Sequence, residues 1–285
     1  MTNVNKSDKI FPGGDAMNKI DTINDLTFLE WSKTRESSGT AGSYLKSYSY
    51  SHGKKVYYKL SFFDDENGCF GYESFNEIIS MNILKELGYN SLEYSLIKAK
   101  IKIKGEDYIT YLTSSVDFKK PGESKITFEN FYSFNKNDNE SAIDFAIRMG
   151  FEKEIYQMII IDYLICNRDR HGANIEVLYN KNTKKVRLAP LFDHGLSLLS
   201  PKYKESDIKE FDIKKDVKVN SFIGKSNLLA NLDLVPLRYF PNNKIDFNKV
   251  FDCFGKNNDL YLKKAKEMLE WRWKKLENIR DKRKE

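Results

Sequence analysis

One stretch of this chain leaves little freedom in what it can fold into. From Phe151 to Cys166 the residues are apolar nearly all round, the pattern of a helix buried on every side. Directly behind it stands the polar string Asn167-Arg168-Asp169-Arg170-His171-Gly172-Ala173-Asn174. A carboxylate and an amide five positions apart on a loop, Asp169 and Asn174, can face the same cavity. Asp169 can accept or orient a hydroxyl proton, and the Asn174 side-chain oxygen can ligate a hard cation. Strand signals at Ile175–Tyr179 and Lys185–Ala189 surround the turn Asn180-Lys181-Asn182 and make a short hairpin. The hairpin returns the chain to Leu191-Phe192-Asp193-His194-Gly195, where a carboxylate ahead of a turn-permitting glycine can bind the same cation. Magnesium favours one or two carboxylates plus phosphate oxygens over an all-protein cage, and Asp193 with Asn174 answers that description.

A phosphate site needs a second half, and the first part of the chain offers one. Tyr44–Tyr50 and Lys55–Phe63 flank Ser51-His52-Gly53-Lys54 as a predicted hairpin. It is opened by Ser37-Ser38-Gly39-Thr40-Ala41-Gly42-Ser43, whose small residues let backbone N–H groups approach phosphates. Lys59 lies on the returning strand. From Glu73 to Leu87 the spacing of Phe75, Ile78, Ile79, Ile83, Leu84 and Leu87 predicts a helix that Gly88 stops, and this helix carries Glu73 and Glu77. A strand lysine paired with a helix glutamate holds nucleotide α- and β-phosphates in protein kinases. Each part alone has an ordinary reading as a loop, an edge lysine or a surface charge; their order along the chain is what points to a kinase-like fold. Further strands are predicted at Tyr94–Ile103 and Tyr108–Ser114, a polar insert at Pro121–Glu140, and a last helix with its core stripe at Leu262, Ala265, Leu269, Trp273 and Leu276.

Asp169-Arg170-His171-x-x-Asn174 followed by Asp193-x-Gly195 resembles the catalytic and metal-binding motifs of the HipA-like serine/threonine kinases. The Asp-Arg-His-x-x-Asn string is also similar to that of phosphatidylinositol kinases. The motifs cover about residues 36–200. The resemblance implies an α+β, two-lobed protein-kinase-like fold, with a small β-rich N-lobe and a larger helical C-lobe. Residues 1–20 would be a flexible leader, 21–118 the N-lobe with its Ser/Gly phosphate loop, and 119–285 the C-lobe. ATP and Mg²⁺ are the implied cofactors. Asp169 would be the catalytic residue, and Asn174 and Asp193 the metal ligands. Ser38, Gly39, Thr40, Gly42, Ser43 and Lys59 would bind the nucleotide, with Glu77 partnering Lys59. Glu77 is preferred to Glu73 because its distance to the helix-ending Leu87-Gly88 matches HipA-like proteins. Adenine would sit against Thr113–Phe118. The acceptor implied is a protein hydroxyl, with a lipid or small molecule as the alternative; an antitoxin or regulator partner is not readable. The chain departs from ordinary protein kinases in having no G-x-G-x-x-G, in His194 for the Phe of D-F-G, and in having no A-P-E.

Composition narrows the rivals. The net charge is +6, but Arg272–Glu285 alone holds seven basic and three acidic residues, so no wide basic stripe marks a nucleic-acid binder. Cys69, Cys166 and Cys253 are scattered and unpaired in spacing, indicating neither a disulfide framework nor a zinc site. The densest apolar run, Met158–Ile161, is broken by Asp162 and too short to span a bilayer, and the first residues lack an apolar signal core, so a cytoplasmic protein is expected. Gly224-Lys225-Ser226 is not a Walker loop, since the earlier glycine it needs would fall at Val219. A metal-dependent phosphohydrolase using His171 and His194 would not need Lys59, and a pseudokinase would be expected to have lost one of Asp169, Asn174 or Asp193.

Overall fold

The computed structural model describes residues 22–32, 44–255 and 259–285. The first part is a sheet region. It contains β1 (Asn24–Asp25), the hairpin β2 (Lys46–Ser51) and β3 (Lys54–Leu60), and the small hairpin β4 (Phe62–Asp64) and β5 (Gly68–Phe70). Helix α1 (Glu73–Glu86) follows, and then β6 (Tyr94–Ile103) and β7 (Glu106–Val116). Five strands form one sheet in the order β1-β6-β7-β3-β2, antiparallel except for β1 beside β6. Lys59 stands near the end of β3, opposite Lys46 on one side and Thr113 on the other.

The helical region runs through β8 (Glu123–Thr127), α2 (Phe128–Asn135), α3 (Ala142–Arg148), α4 (Glu152–Leu164) and β9 (Asp169–Arg170). It continues with the hairpin β10 (Glu176–Asn180) and β11 (Val186–Leu188), then α5 (Glu205–Glu210), β12 (Asn220–Ser221), α6 (Leu228–Asn231), α7 (Phe247–Phe251) and α8 (Leu260–Lys282). The fold is therefore mixed α+β, a β-sheet region followed by a helical one. The predicted stripe of the last helix is buried as expected, from Leu262 to Leu276.

Two expectations change. The insert at Pro121–Glu140 is not merely polar loop: Glu123–Thr127 pairs with β10, and Thr127 then caps α2 by accepting from the Asn130 N–H at 3.3 Å. The strand expected at Tyr108–Ser114 is longer, so that Thr113–Phe118, where adenine is expected, is mostly strand. β7 runs on to Val116, opposite Val56, and the Asp117 N–H still donates to the Lys55 carbonyl at 3.0 Å.

Two separate hydrophobic cores explain how the site is held. A small one lies within the sheet, around Val56, Tyr58, Leu60, Ile101 and Leu112. A much larger one surrounds α4 and α8, and α1 contributes Ile78, Ile79, Ile83 and Leu84 to it, not to the sheet core. Both central helices stop in the same way. At the end of α1, Gly88 adopts φ +68°, its N–H donates to the Lys85 carbonyl and that of Tyr89 to Leu84. At the end of α4, Cys166 adopts φ +54°, its N–H donates to Tyr163 and that of Asn167 to Asp162. This is the Schellman stop, in which a left-handed residue satisfies the last carbonyls. A non-glycine residue there costs about 1–2 kcal/mol, and in return the chain leaves α4 abruptly into the Asn167–Asn174 loop.

Candidate active site

The polar loop after α4 is fixed from beneath by one buried ion pair. Asp162, in the last turn of α4, accepts from Arg170 Nε at 3.0 Å and Nη2 at 2.9 Å, with both side chains nearly inaccessible. Asp162 also accepts from Asn167 Nδ2 at 2.8 Å, and Asn167 Oδ1 accepts the Asp169 N–H at 3.2 Å. The remaining arm of Arg170 reaches further: Nη1 donates to the Asn174 carbonyl at 3.1 Å and the Phe192 carbonyl at 3.0 Å. One guanidinium thus joins α4, the Asn167–Asn174 loop and the segment leading to Asp193. Neither Asp162 nor Arg170 was singled out from sequence. The available signal was a carboxylate, Asp162, within the otherwise apolar and wholly buried run Met158–Leu164.

Asn174 is 4 % exposed and its two side-chain ends differ. Nδ2 donates to the Asp169 carbonyl at 3.0 Å, while buried Oδ1 has no hydrogen-bond partner. An oriented, desolvated amide oxygen without a donor is what a hard cation would satisfy. Asp193 adopts φ +60°, a left-handed conformation that Asp tolerates better than most residues. Its carboxylate pairs with Lys59 Nζ, and Lys59 also donates to Glu77 Oε1 at 2.8 Å. Burial opposes the charge on Lys59, yet Asp193 and Glu77 outweigh it and hold the ammonium above its ordinary pKa. The other oxygen of Glu77 accepts the His194 N–H at 2.9 Å. Glu73 is elsewhere engaged, accepting from Tyr203 at 2.5 Å. The structure therefore brings Lys59, Glu77 and Asp193 together.

Asp169 is partly exposed, and each of its oxygens has a neighbour. Asn220 Nδ2 lies 3.4 Å from Oδ1, brought there because β12 pairs with β9 and sets Asn220 opposite Asp169. His171 Nε2 lies 3.6 Å from Oδ2. His171 Nδ1 accepts the Ala173 N–H, so the ring proton belongs on Nε2, facing the carboxylate. Asn220 had no sequence signal, being separated from Asp169 by some fifty residues and joined to it by a two-residue strand. Gly172 admits no side chain, since a Cβ would lie 2.5 Å from Glu129 Cβ on α2. His194 is 1 % exposed, and neither ring nitrogen makes a hydrogen bond, although Nδ1 lies 3.8 Å from Glu77 Oε2. Burial, with Arg170 close by, pushes its pKa well below the usual imidazole value, so it packs as a neutral aromatic where a D-F-G motif has Phe.

Around Lys59 the side chains of Glu77 and Asp193 supply more negative than positive charge, and Arg170 ties the backbone of Asn174, whose side-chain oxygen is a neutral donor, to that of Phe192 next to Asp193. The set suits a magnesium ion shared with phosphate oxygens. Among the described residues no group of three or more His, Cys, Asp or Glu side chains is placed to hold a metal by itself. The Ser/Gly stretch, with Ser38, Gly39, Thr40, Gly42 and Ser43, lies outside the described residues. No helix among the described residues is long and apolar enough to cross a membrane.

No family model matches the chain. The serine/threonine-protein kinase CtkA of Helicobacter pylori strain J99 is 30% identical over 211 residues, covering 65% of this chain and 62% of that protein. The chain thus spans less than two thirds of that relative's length. The crystal structure of a Helicobacter pylori proinflammatory kinase CtkA is similar over 92% of this chain and 97% of that one, with a TM-score of 0.57 and 18% identity. At that identity the likeness speaks for the fold alone. HipA of Shewanella oneidensis MR-1, solved with HipB and operator DNA, is 13% identical over 88% of this chain and 68% of its own, and its TM-score of 0.47 is too low to carry an argument. The chain is thus similar to a kinase at modest identity over part of its length, while the likeness of its motif to phosphatidylinositol kinases gains no support.

Proposed function

We propose that this chain is an ATP- and Mg²⁺-dependent phosphotransferase of two-lobed, protein-kinase-like architecture, acting on serine or threonine of a protein as HipA-like kinases do. The observation that carries the reading is the Lys59 ammonium bridging Glu77 and Asp193, with the orphaned Asn174 oxygen on a loop whose backbone Arg170 ties to the Phe192 carbonyl next to Asp193. Asp193 and Asn174 would hold the magnesium. Bound there, the ion would neutralise charge on the transferring phosphoryl group. Lys59, kept charged by its two carboxylates, would donate to the nucleotide phosphates, with Glu77 fixing the direction of its ammonium. Asp169 would accept the proton of the acceptor hydroxyl, and Asn220 and His171 beside its oxygens would limit its rotation. The Ser/Gly loop would lie over the phosphates and the adenine against Thr113–Phe118, where the Phe118 ring packs at 5.9 Å on Phe192. A protein acceptor is favoured over a lipid or small molecule by the name of the CtkA relative. A cytoplasmic location belongs to the same proposal.

The test is labelling by ATP and Mg²⁺ of proteins, lipids and small alcohols offered separately to the purified chain, with two variants alongside. Asp193→Ala should abolish Mg²⁺-supported ATP binding in calorimetry. Asp169→Asn should bind nearly as the wild type does and lose turnover by about 10²–10⁴-fold, as expected for removal of a general base. Equal loss of binding in both variants would overturn this division of roles.

A further inference from the structure

Asn76 stands one residue before Glu77 on α1, fully buried, and its amide is used in both directions. Nδ2 donates to the carbonyls of Gly195 at 2.8 Å and Ser197 at 3.1 Å, while Oδ1 accepts from the Tyr261 hydroxyl at 2.8 Å. Tyr261 belongs to the first turn of α8 and is itself inaccessible to solvent. Its ring lies flat on that of Tyr72, with centroids 3.9 Å apart and planes within 4°. Tyr72 immediately precedes α1, and its hydroxyl reaches Asp259, the residue that caps α8. Further along α1, Asn82 Nδ2 donates to the Val250 carbonyl on α7 at 2.8 Å. Adjacent residues of α1 thus grip successive residues of one turn: Glu77 takes the His194 N–H, and Asn76 takes the Gly195 carbonyl.

We propose that α8 is a working part of the site, with Tyr261 acting through Asn76 as a positioning residue for the Asp193–Gly195 turn. Its catalytic consequence rests on the phosphotransferase reading above. Four observations carry it: the saturated buried amide, the stacked tyrosines, the capping contact, and the entry of α1 into the helical core. A helix held this way cannot swing out to separate Glu77 from Lys59 without exposing Asn76 and breaking its three bonds. Movement of α1 therefore does not break the Lys59–Glu77 pair, and control of activity has to act elsewhere than on α1. Ordinary core packing would not predict such direction: it would spread the effect of a small change evenly through the core.

The experiment compares the full chain with Tyr261→Phe, which keeps the ring and its stack and removes one hydroxyl. Hydrogen exchange without nucleotide should show the His194 amide exchanging about fivefold faster, the worth of one neutral hydrogen bond, with the amides of Ile159–Ile161 unchanged. The Mg²⁺ concentration for half-maximal ATP turnover should rise by a similar factor with kcat within about twofold. Asn76→Ala combined with Tyr261→Phe should be no worse than Asn76→Ala alone, because the two act in series. Acceleration spread equally over α4, no acceleration at His194, or additive losses would overturn the proposal. Failure of the wild type to turn over ATP would instead overturn the phosphotransferase reading, and the exchange data would still decide whether α8 holds the turn.

Discussion

Removing Asp162 should show how much the loop beneath the site depends on one carboxylate. The side chain is 8 % exposed and its partner Arg170 2 %, so Asp162→Ala leaves a guanidinium buried without a counter-charge. Breaking a buried pair from one side costs about 3–5 kcal/mol, a large share of a total stability of about 5–15 kcal/mol. The double change Asp162→Leu with Arg170→Met removes both charges, and replacing a whole buried pair by apolar residues is close to neutral. What it does not replace are the donors to the Asn174 and Phe192 carbonyls, which should cost about 1–3 kcal/mol. The double variant is thus expected to be more stable than the single one by roughly 2 kcal/mol, while still losing affinity for Mg²⁺ and ATP. Urea unfolding followed by tryptophan fluorescence measures the first, since Trp273 is buried in the helical core, and calorimetry the second. A single variant costing under about 1 kcal/mol, the value of a solvated pair, would refute the reasoning. So would a double variant less stable than the single.

Lys59 and Glu77 should behave as a unit: each alanine variant loses most of the activity and the double variant little more, because one broken ion pair cannot be broken twice; additive losses would count against the pairing. His194→Phe should retain activity, since the buried ring has no hydrogen-bond partner. The same variant should change the acid response. A histidine held neutral when folded, but with an unfolded value near 6.5, binds more protons unfolded, so it removes stability as pH falls below 6.5. Relative to His194→Phe, the wild type should lose about 1.4 kcal/mol per pH unit there, and parallel curves would exclude the effect. Finally, if the Ser/Gly stretch binds phosphate as proposed, Ser37, Ser38, Thr40 or Ser43 should become phosphorylated on incubation with ATP, adding about −1.5 to −2 charges to a loop proposed to cover the nucleotide. Phosphopeptide mapping with Asp169→Ala as control checks this, and phosphate found only elsewhere would exclude it.

The parts legible in the sequence were those whose chemistry is local or whose pattern is periodic. Asp169, Asn174 and Asp193 could be named because a buried helix, a loop and a hairpin follow one another without interruption. Helix α1 showed itself through its apolar spacing and its terminal glycine. Choosing Glu77 over Glu73 needed a family resemblance, because both lie on the same helix and only the three-dimensional path of Lys59 separates them. Asn220, Asn76 and Tyr261 were illegible for a different reason. Each is an ordinary residue in its own neighbourhood and meets its partner across a long stretch of chain, through a two-residue strand in one case and a helix crossing in the other. The strand at Glu123–Thr127 was hidden by its polar composition; its pairing partner β10, not its own hydrophobicity, makes it a strand.

That α1 buries its apolar face among the helices has a consequence for how the molecule comes apart. The sheet keeps only its own small cluster, so it should be the first cooperative unit to open, while α1, the Asp193 turn and α8 remain together. Lys59 would leave with the sheet and Glu77 would stay. Their ion pair is then the staple between two foldons of unequal stability, and any ligand that grips both sides protects the weaker one more than the stronger.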